Sequence, residues 1–372
     1  MATSTPDRHA LRRQKLLPIL QAAEADAFLV SADVNVRYLT GFTGDSSYLI
    51  YGPNVELIIT DSRYTTQLEE ECPGLELYVR KVSETLPAAT AGVLKKAKFS
   101  RIGFESQRLV ADSLESLRSA LPTVEFRPIG GKIESELRAI KDDQEIAETR
   151  LAVQLAERAF DLMKASLTPE TTEREAAWEL ERGIRKFGGE GMSFPPIVAV
   201  GDRAALPHYH PHARAVREAG ILLVDWGAQG YSGYKSDITR TLFTQPLSRK
   251  FEKVYDTVLK AQERAIKAIR PGRKCSVIDE KARGFIADAG FGKYFGHGLG
   301  HGIGLEIHEQ PRFAPSSETE LRPGMIVTVE PGIYLPGQGG VRIEDDVLVT
   351  LDGCEVLSTT RKDLDAMRFG FA

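Results

Sequence analysis

Acidic residues interrupt apolar, strand-like segments at four places in the C-terminal half of this 372-residue chain: Asp225 in LLVDWG, Asp237 in YKSDITRT, Glu330 in VTVEPG and Glu344 in VRIEDD. Among them stands His301, in GLGHGIG. An unpaired buried carboxylate costs several kcal/mol or takes up a proton. A fold that buries these segments must therefore bring positive charge to them, and two divalent cations would supply it.

The spacing supports that reading. Asp225 and Asp237 bracket WGAQGYSGYKS, where Gly227, Gly230 and Gly233 mark a turn. A hairpin folded about Tyr231 puts the two aspartates opposite each other. Directly opposed residues have Cβ atoms ~5 Å apart, and the metals of a bridged pair sit roughly 3.5–4 Å apart, a span that facing carboxylates can bracket. Glu330 and Glu344 repeat the pattern about LPGQGG, with Val327, Val329, Val341 and Ile343 alternating beside them. The competing reading is a pair of exposed acids at each surface turn. The run GILLV before Asp225 argues against it.

The stretch GHGLGHGIGLEIHEQP carries glycine at 296, 298, 300, 302 and 304. That density excludes a helix and fits an extended backbone that something approaches closely. Glycines on even positions cannot supply a dinucleotide fingerprint, and His308-Glu309 lacks the second histidine of a zincin helix. Six of the seven histidines lie here or in PHYHPH (His208, His210, His212). Four oxygen donors and one imidazole without thiolate favour manganese, cobalt, iron or zinc. Water between two such ions loses a proton near neutral pH and becomes the nucleophile that amide hydrolysis requires.

The remaining composition narrows the setting. The length predicts two domains. A net charge of -4 with scattered Lys and Arg gives no sign of nucleic-acid binding. Cys72, Cys275 and Cys354 form no CxxC pair, so neither a disulfide framework nor a thiolate zinc site is expected. No apolar run approaches the ~18 residues of a membrane span, and MATSTPDRHALRRQKLL lacks the features of a secretory signal. A cytoplasmic protein with reduced thiols is the expectation.

Along the chain, ADAFLVS, SYLIYG, VELIIT, LELYVRK, RIGFES and VEFRP read as strands. Leu109–Leu121 and roughly Thr85–Lys98 have helical spacing. Gly130-Gly131 closes this α/β unit, and a boundary falls near 132–142. A long helix starts at Asp142 or Asp143, another spans about Thr172–Lys186, and a strand follows at Ile197–Val200. Helices are also expected near Ser248–Ile269 and Ser276–Ala289, so that helices followed by an acid-bearing hairpin occur twice.

The wording of VDWGAQGYSGYKSDITRT, GHGLGHGIGLEIHEQP, VTVEPGIY and VRIEDD resembles the pita-bread (M24) metallopeptidases: methionine aminopeptidase, aminopeptidase P and prolidase. NVRYLTGFTGDSSYLI and IITDSRYT are similar to the amino-terminal domain shared by aminopeptidase P, prolidase and creatinase. The resemblance implies an α/β N-terminal domain over 1–135 and an α+β pita-bread catalytic domain over 136–372. It implies Asp225, Asp237, His301, Glu330 and Glu344 as ligands of two divalent ions, manganese ahead of cobalt, zinc and iron. His301 is chosen over His297 because the family's liganding histidine precedes GxG and lies seven residues before the next histidine.

By the same resemblance His308 bonds the substrate carbonyl or tetrahedral intermediate, and His208 binds substrate. Glu330 also carries the proton to the leaving nitrogen, and Arg342 orients metal ligands. The Asp225–Asp237 interval is one residue longer than in many members, which predicts an enlarged turn. The implied reaction is hydrolysis, by a metal-bridging hydroxide, of the bond preceding proline in short peptides. The enzyme would be a Xaa-Pro aminopeptidase or a Xaa-Pro dipeptidase. Arg312 in HEQPR suits the proline carboxylate of a dipeptide. A homodimer is implied too, with the Tyr38–Phe42 loop near the partner's pocket. The alternatives on this fold are a metal-free creatinase-like amidinohydrolase and a non-catalytic peptide-binding relative. Both drop ligands that this chain keeps. No GxSxG elbow supports a serine hydrolase.

Overall fold

The computed structural model describes residues 7–371. Two compact units divide between Arg138 and Ala139. In the first, a mixed sheet runs in the order Glu76–Val79, Val55–Thr60, Tyr48–Gly52, Ala27–Val30, Arg101–Phe104, Glu125–Pro128. Its central strand is buried along its whole length, as expected of a strand covered on both faces. Helices Leu86–Ala97 and Ala111–Ala120 lie where their apolar spacing predicts, the first capped by the Thr85 hydroxyl.

The helices Arg8–Gln14, Leu17–Ala22, Asp33–Thr40 and Thr65–Glu71 have no counterpart in the sequence reading. Each has eight residues or fewer, too short for periodicity to register and stable only through packing. One of them corrects an expectation. Tyr38–Thr40 form the last turn of a helix that Gly41 ends in the left-handed conformation, so only Gly41 and Phe42 of the expected loop are loop. Tyr38 and Phe42 are buried in this unit.

The second unit opens with helix Asp143–Ser166, started by a capping box between Asp142 and Glu145. Thr172 and Glu175 do the same for helix Glu173–Lys186. Strands Ile238–Phe243, Ile221–Trp226 and Ile197–Val200 form an antiparallel sheet in that order. Helices Arg249–Ala268 and Cys275–Asp288 precede a five-stranded antiparallel sheet ordered Glu309–Phe313, Gly300–Gly302, Ile326–Val329, Asp345–Val349, Cys354–Val356. Trp226 stacks on Phe160 at 4.2 Å in the core and donates its indole N–H to the Ala156 carbonyl. Its strand neighbour Asp225 faces the other side of the sheet, because side chains alternate. Among the described residues no helix is long and apolar enough to cross a membrane.

Candidate metal centre

Asp225 lies on the middle strand of the three-stranded sheet, opposite Thr239. Asp237 comes just before the edge strand begins at Ile238, so the aspartates are diagonal neighbours and not directly opposed as the turn about Tyr231 predicts. The hairpin centres one residue later, about Ser232, where Gly233 adopts φ 89°. Moving the centre by one residue moves each partner by two. The Asp237 amide donates to the Asp346 carboxylate at 3.0 Å, which fixes where the strand enters.

Glu330 and Glu344 do face each other. Ile326–Val329 pairs with Asp345–Val349, and Gly332–Leu335 pairs with Gly339–Arg342 in the same continuing register. That register sets Glu330 against Glu344, at the point where one ladder stops and the two-stranded ribbon begins. The Glu344 amide leaves this ribbon to bond the Thr239 carbonyl, which ties the second hairpin to the first.

His301 sits on the three-residue strand Gly300–Gly302, squeezed between two others. A Cβ on Gly300 would meet the Thr328 carbonyl at 2.0 Å, and one on Gly302 the Gln310 carbonyl at 2.1 Å. The close approach expected of the glycine run is thus made by the protein's own neighbouring backbone. The His301 Nδ1 lies 3.0 Å from the Gly302 carbonyl, an acceptor only, so Nδ1 carries the proton. Nε2 then presents its lone pair, 3.7 Å from Asp237 Oδ2 and 3.5 Å from Glu330 Oε1.

Ligand atoms of Asp237, His301 and Glu344 all lie within 4.8 Å of one another. Asp225 Oδ1, Asp237 Oδ1 and Glu344 Oε1 are buried without a hydrogen-bond partner. Native proteins rarely leave buried polar atoms unsatisfied. Arg342 is the cation at the cluster: it pairs with Asp225 Oδ2 and donates to Thr239 Oγ1 and the Tyr334 hydroxyl. One guanidinium cannot balance four carboxylates. Burial, then the charges of Glu344, Asp225 and Glu330, pushes Asp237 well above the usual carboxylate range. Burial, then Glu330 and Asp225, does the same to Glu344. Burial lifts Glu330 to about 8 against the pull of Arg342. His301 is driven down to about 3 by burial, which keeps its imidazole neutral and fit to ligate. Oxygen-rich, imidazole-containing and short of positive charge, the cluster fits hard or borderline divalent ions.

A cavity of about 540 Å³ opens onto these side chains. His208, His308, Arg312 and Arg342 line it together with the five expected ligands, so the structure gathers every residue given a catalytic, substrate-binding or metal role from the sequence. The His308 ring meets the His301 ring edge-on at 4.5 Å. Arg312 is paired in register with His301 across the sheet. A separate groove of about 650 Å³, walled by Trp178 and Pro196, holds no histidine.

Some residues at or beside the cavity are given no role by the sequence reading. His297 lines the wall and bonds the Tyr334 hydroxyl at 2.9 Å, and its imidazole is lowered to about 4 by burial. Its signal was present in GHGLGH. Tyr334 carries the Arg342 contact four residues after Glu330, and Phe194 adds an apolar wall. Tyr334 closes the VTVEPGIY motif but is assigned nothing there, and Phe194 has no motif of its own.

Residues 147–351 match the profile of metallopeptidase family M24, and residues 12–140 that of the creatinase/prolidase N-terminal domain. A Xaa-Pro dipeptidase of Pyrococcus horikoshii is 34% identical over 353 residues, covering 94% of this chain and 97% of the relative. The solved Xaa-Pro dipeptidase from Bacillus anthracis superposes with a TM-score of 0.91 at 38% identity, covering 96% of this chain and 99% of that one. The X-Pro aminopeptidase from Thermotoga maritima gives 0.86 at 36% identity, with the same coverage.

Proposed function

The chain belongs to metallopeptidase family M24, with a creatinase/prolidase N-terminal domain, and on that premise we propose that it is a Xaa-Pro dipeptidase. The observation that carries this reading is the group of orphaned carboxylate oxygens around His301, in a cavity also walled by His208, His308 and Arg312. Asp225, Asp237, His301, Glu330 and Glu344 would hold two divalent ions, manganese first. When bound, those ions offset the carboxylate charge, polarise the scissile carbonyl and activate water for attack.

The chain's own side chains do the rest. A bond preceding proline is a tertiary amide with no N–H, so the cavity must recognise the substrate by other groups. His308 reaches the peptide carbonyl and stabilises the oxygen as it gains charge, and His208 binds the substrate beside it. Arg312 offers a fixed, charged fork to the proline carboxylate. The leaving nitrogen needs a proton, and Glu330, whose carboxylate lies in the cluster beside the reacting atoms, relays it there. Arg342 holds Asp225 by charge and Glu344 through the Thr239 hydroxyl, which itself donates to Glu344 at 2.6 Å. The same reading includes a cytoplasmic homodimer.

A second reading, Xaa-Pro aminopeptidase, is favoured by the likeness to the Thermotoga maritima enzyme. Assays of Ala-Pro, Ala-Pro-Ala and Ala-Ala-Ala with added manganese or cobalt separate the two. Cleavage confined to Ala-Pro is the expected result, and cleavage of Ala-Pro-Ala converts the assignment to aminopeptidase. Cleavage of Ala-Ala-Ala alone overturns the proline preference.

A further inference from the structure

Glu173 is the first residue of helix Glu173–Lys186 and is wholly buried, yet it makes no ion pair among the described residues. Three donors from three places satisfy its carboxylate. The Val200 amide gives its proton to Oε1 at 2.8 Å, and the Tyr209 hydroxyl and His212 amide both donate to Oε2 at 2.9 Å. The helix start returns the contact: the Glu173 amide donates to the Arg214 carbonyl and the Arg174 amide to the His212 carbonyl. Helix N-terminal amides lack intrahelical partners, so these two are free to hold a loop.

The segment so held is PHYHPH, which has no regular structure of its own and leaves His208 and His210 exposed. Tyr209 ties its hydroxyl to Glu173, while His208 and His210 on either side of it line the catalytic cavity. Few other bonds tie the segment down: Tyr209 N–H to the Leu206 carbonyl, and a long contact of 3.5 Å from Arg342 to the Pro207 carbonyl.

We propose that Glu173 is a positioning residue for substrate binding, acting through Tyr209 and the His212 amide to set His208 at the cavity wall. The role of His208 rests on the function proposed above. Tyr209→Phe removes one donor and keeps the ring, and Glu173→Gln keeps one acceptor oxygen. The full-length protein with added manganese is assayed on Ala-Pro for kcat and KM. Amide hydrogen exchange is followed over 206–212, and Tyr209→Phe is repeated in a His208→Ala background.

Both single variants should raise KM roughly tenfold, equivalent to about 1.4 kcal/mol, with kcat held within about twofold. Exchange over 206–212 should quicken while that of helix Arg249–Ala268 stays as it was. The KM effect of Tyr209→Phe should vanish once His208 is gone, because residues acting as one unit are not additive. An unchanged KM with unchanged exchange overturns the proposal, as does a KM effect of equal size in the His208→Ala background. Should the parent enzyme leave Ala-Pro uncut, the assigned function fails and exchange decides alone. Faster exchange confined to 206–212 then upholds placement by Glu173, and unchanged exchange refutes it.

Discussion

Glu344 and Asp345 are sequence neighbours, both buried, and the protein treats them in opposite ways. Asp345 receives Arg240 at 2.7 Å on one oxygen, and Lys362 and Gln262 on the other. Burial works to raise its pKa, but the two cations more than offset that and hold it below the usual carboxylate range. Glu344 receives a hydroxyl from Thr239, and its other oxygen has no partner. Its pKa goes up instead. Where the fold needs a permanently ionised buried acid, it brings its own cations. One residue away it withholds them, and an ion from outside must do that work. The paired side also stiffens the open one, since Arg240 donates to the main-chain carbonyls of Glu344 and Thr239.

The sharpest way to break this contrast is on the open side. Glu330→Gln keeps the shape and removes the proton carrier, so kcat under saturating manganese should fall by roughly 10²–10⁴-fold. A kcat within about twofold of the parent would remove that role. On the paired side, Asp345→Asn leaves the fully buried Arg240 and the partly exposed Lys362 without their counter-charge. Breaking such a group should cost about 3–5 kcal/mol in urea unfolding. Glu344→Gln in metal-free protein should leave stability unchanged or raise it, because it removes an uncompensated acid. An equal loss in both variants would erase the distinction.

The smallest effect is a pH dependence. Glu330 has an ordinary value of 4.5 and stands at about 8 in the fold without metal. A raised folded pKa contributes stability that is fully present below the unfolded value and is lost as pH rises through the folded one. The midpoint temperature of metal-free protein should therefore drop by several degrees between about pH 5 and pH 9. Manganese-loaded protein should show no such drop, because the ions favour the ionised carboxylates. A flat profile without metal would mean that the acids are already compensated.

Much of the site could be read from the sequence because acids inside apolar strands are anomalous, and anomalies carry information. The helix starts near Asp142 and Thr172 were likewise legible, and the structure shows each held by a capping pair close in sequence, Asp142/Glu145 and Thr172/Glu175. The pairing of Asp225 with Thr239 escaped because hairpin register depends on where the turn centres, and several glycines allow several centres. The contrast between Glu344 and Asp345 is invisible in IEDD. The cations that separate them come from Arg240 and Lys362, distant in sequence and brought in only by tertiary packing. Glu173 is hidden for the same reason, since its three donors lie 27 to 39 residues away.

The most direct test is the metal content of the purified chain, measured beside Asp237→Asn and His301→Ala under the same mild conditions. The parent should carry up to two divalent ions per chain and both variants should lose them while keeping the fold, since the orphaned oxygens and the His301 lone pair are what the ions bind. Full occupancy in the variants, or a parent that takes up no ion from excess manganese or cobalt, would contradict the account.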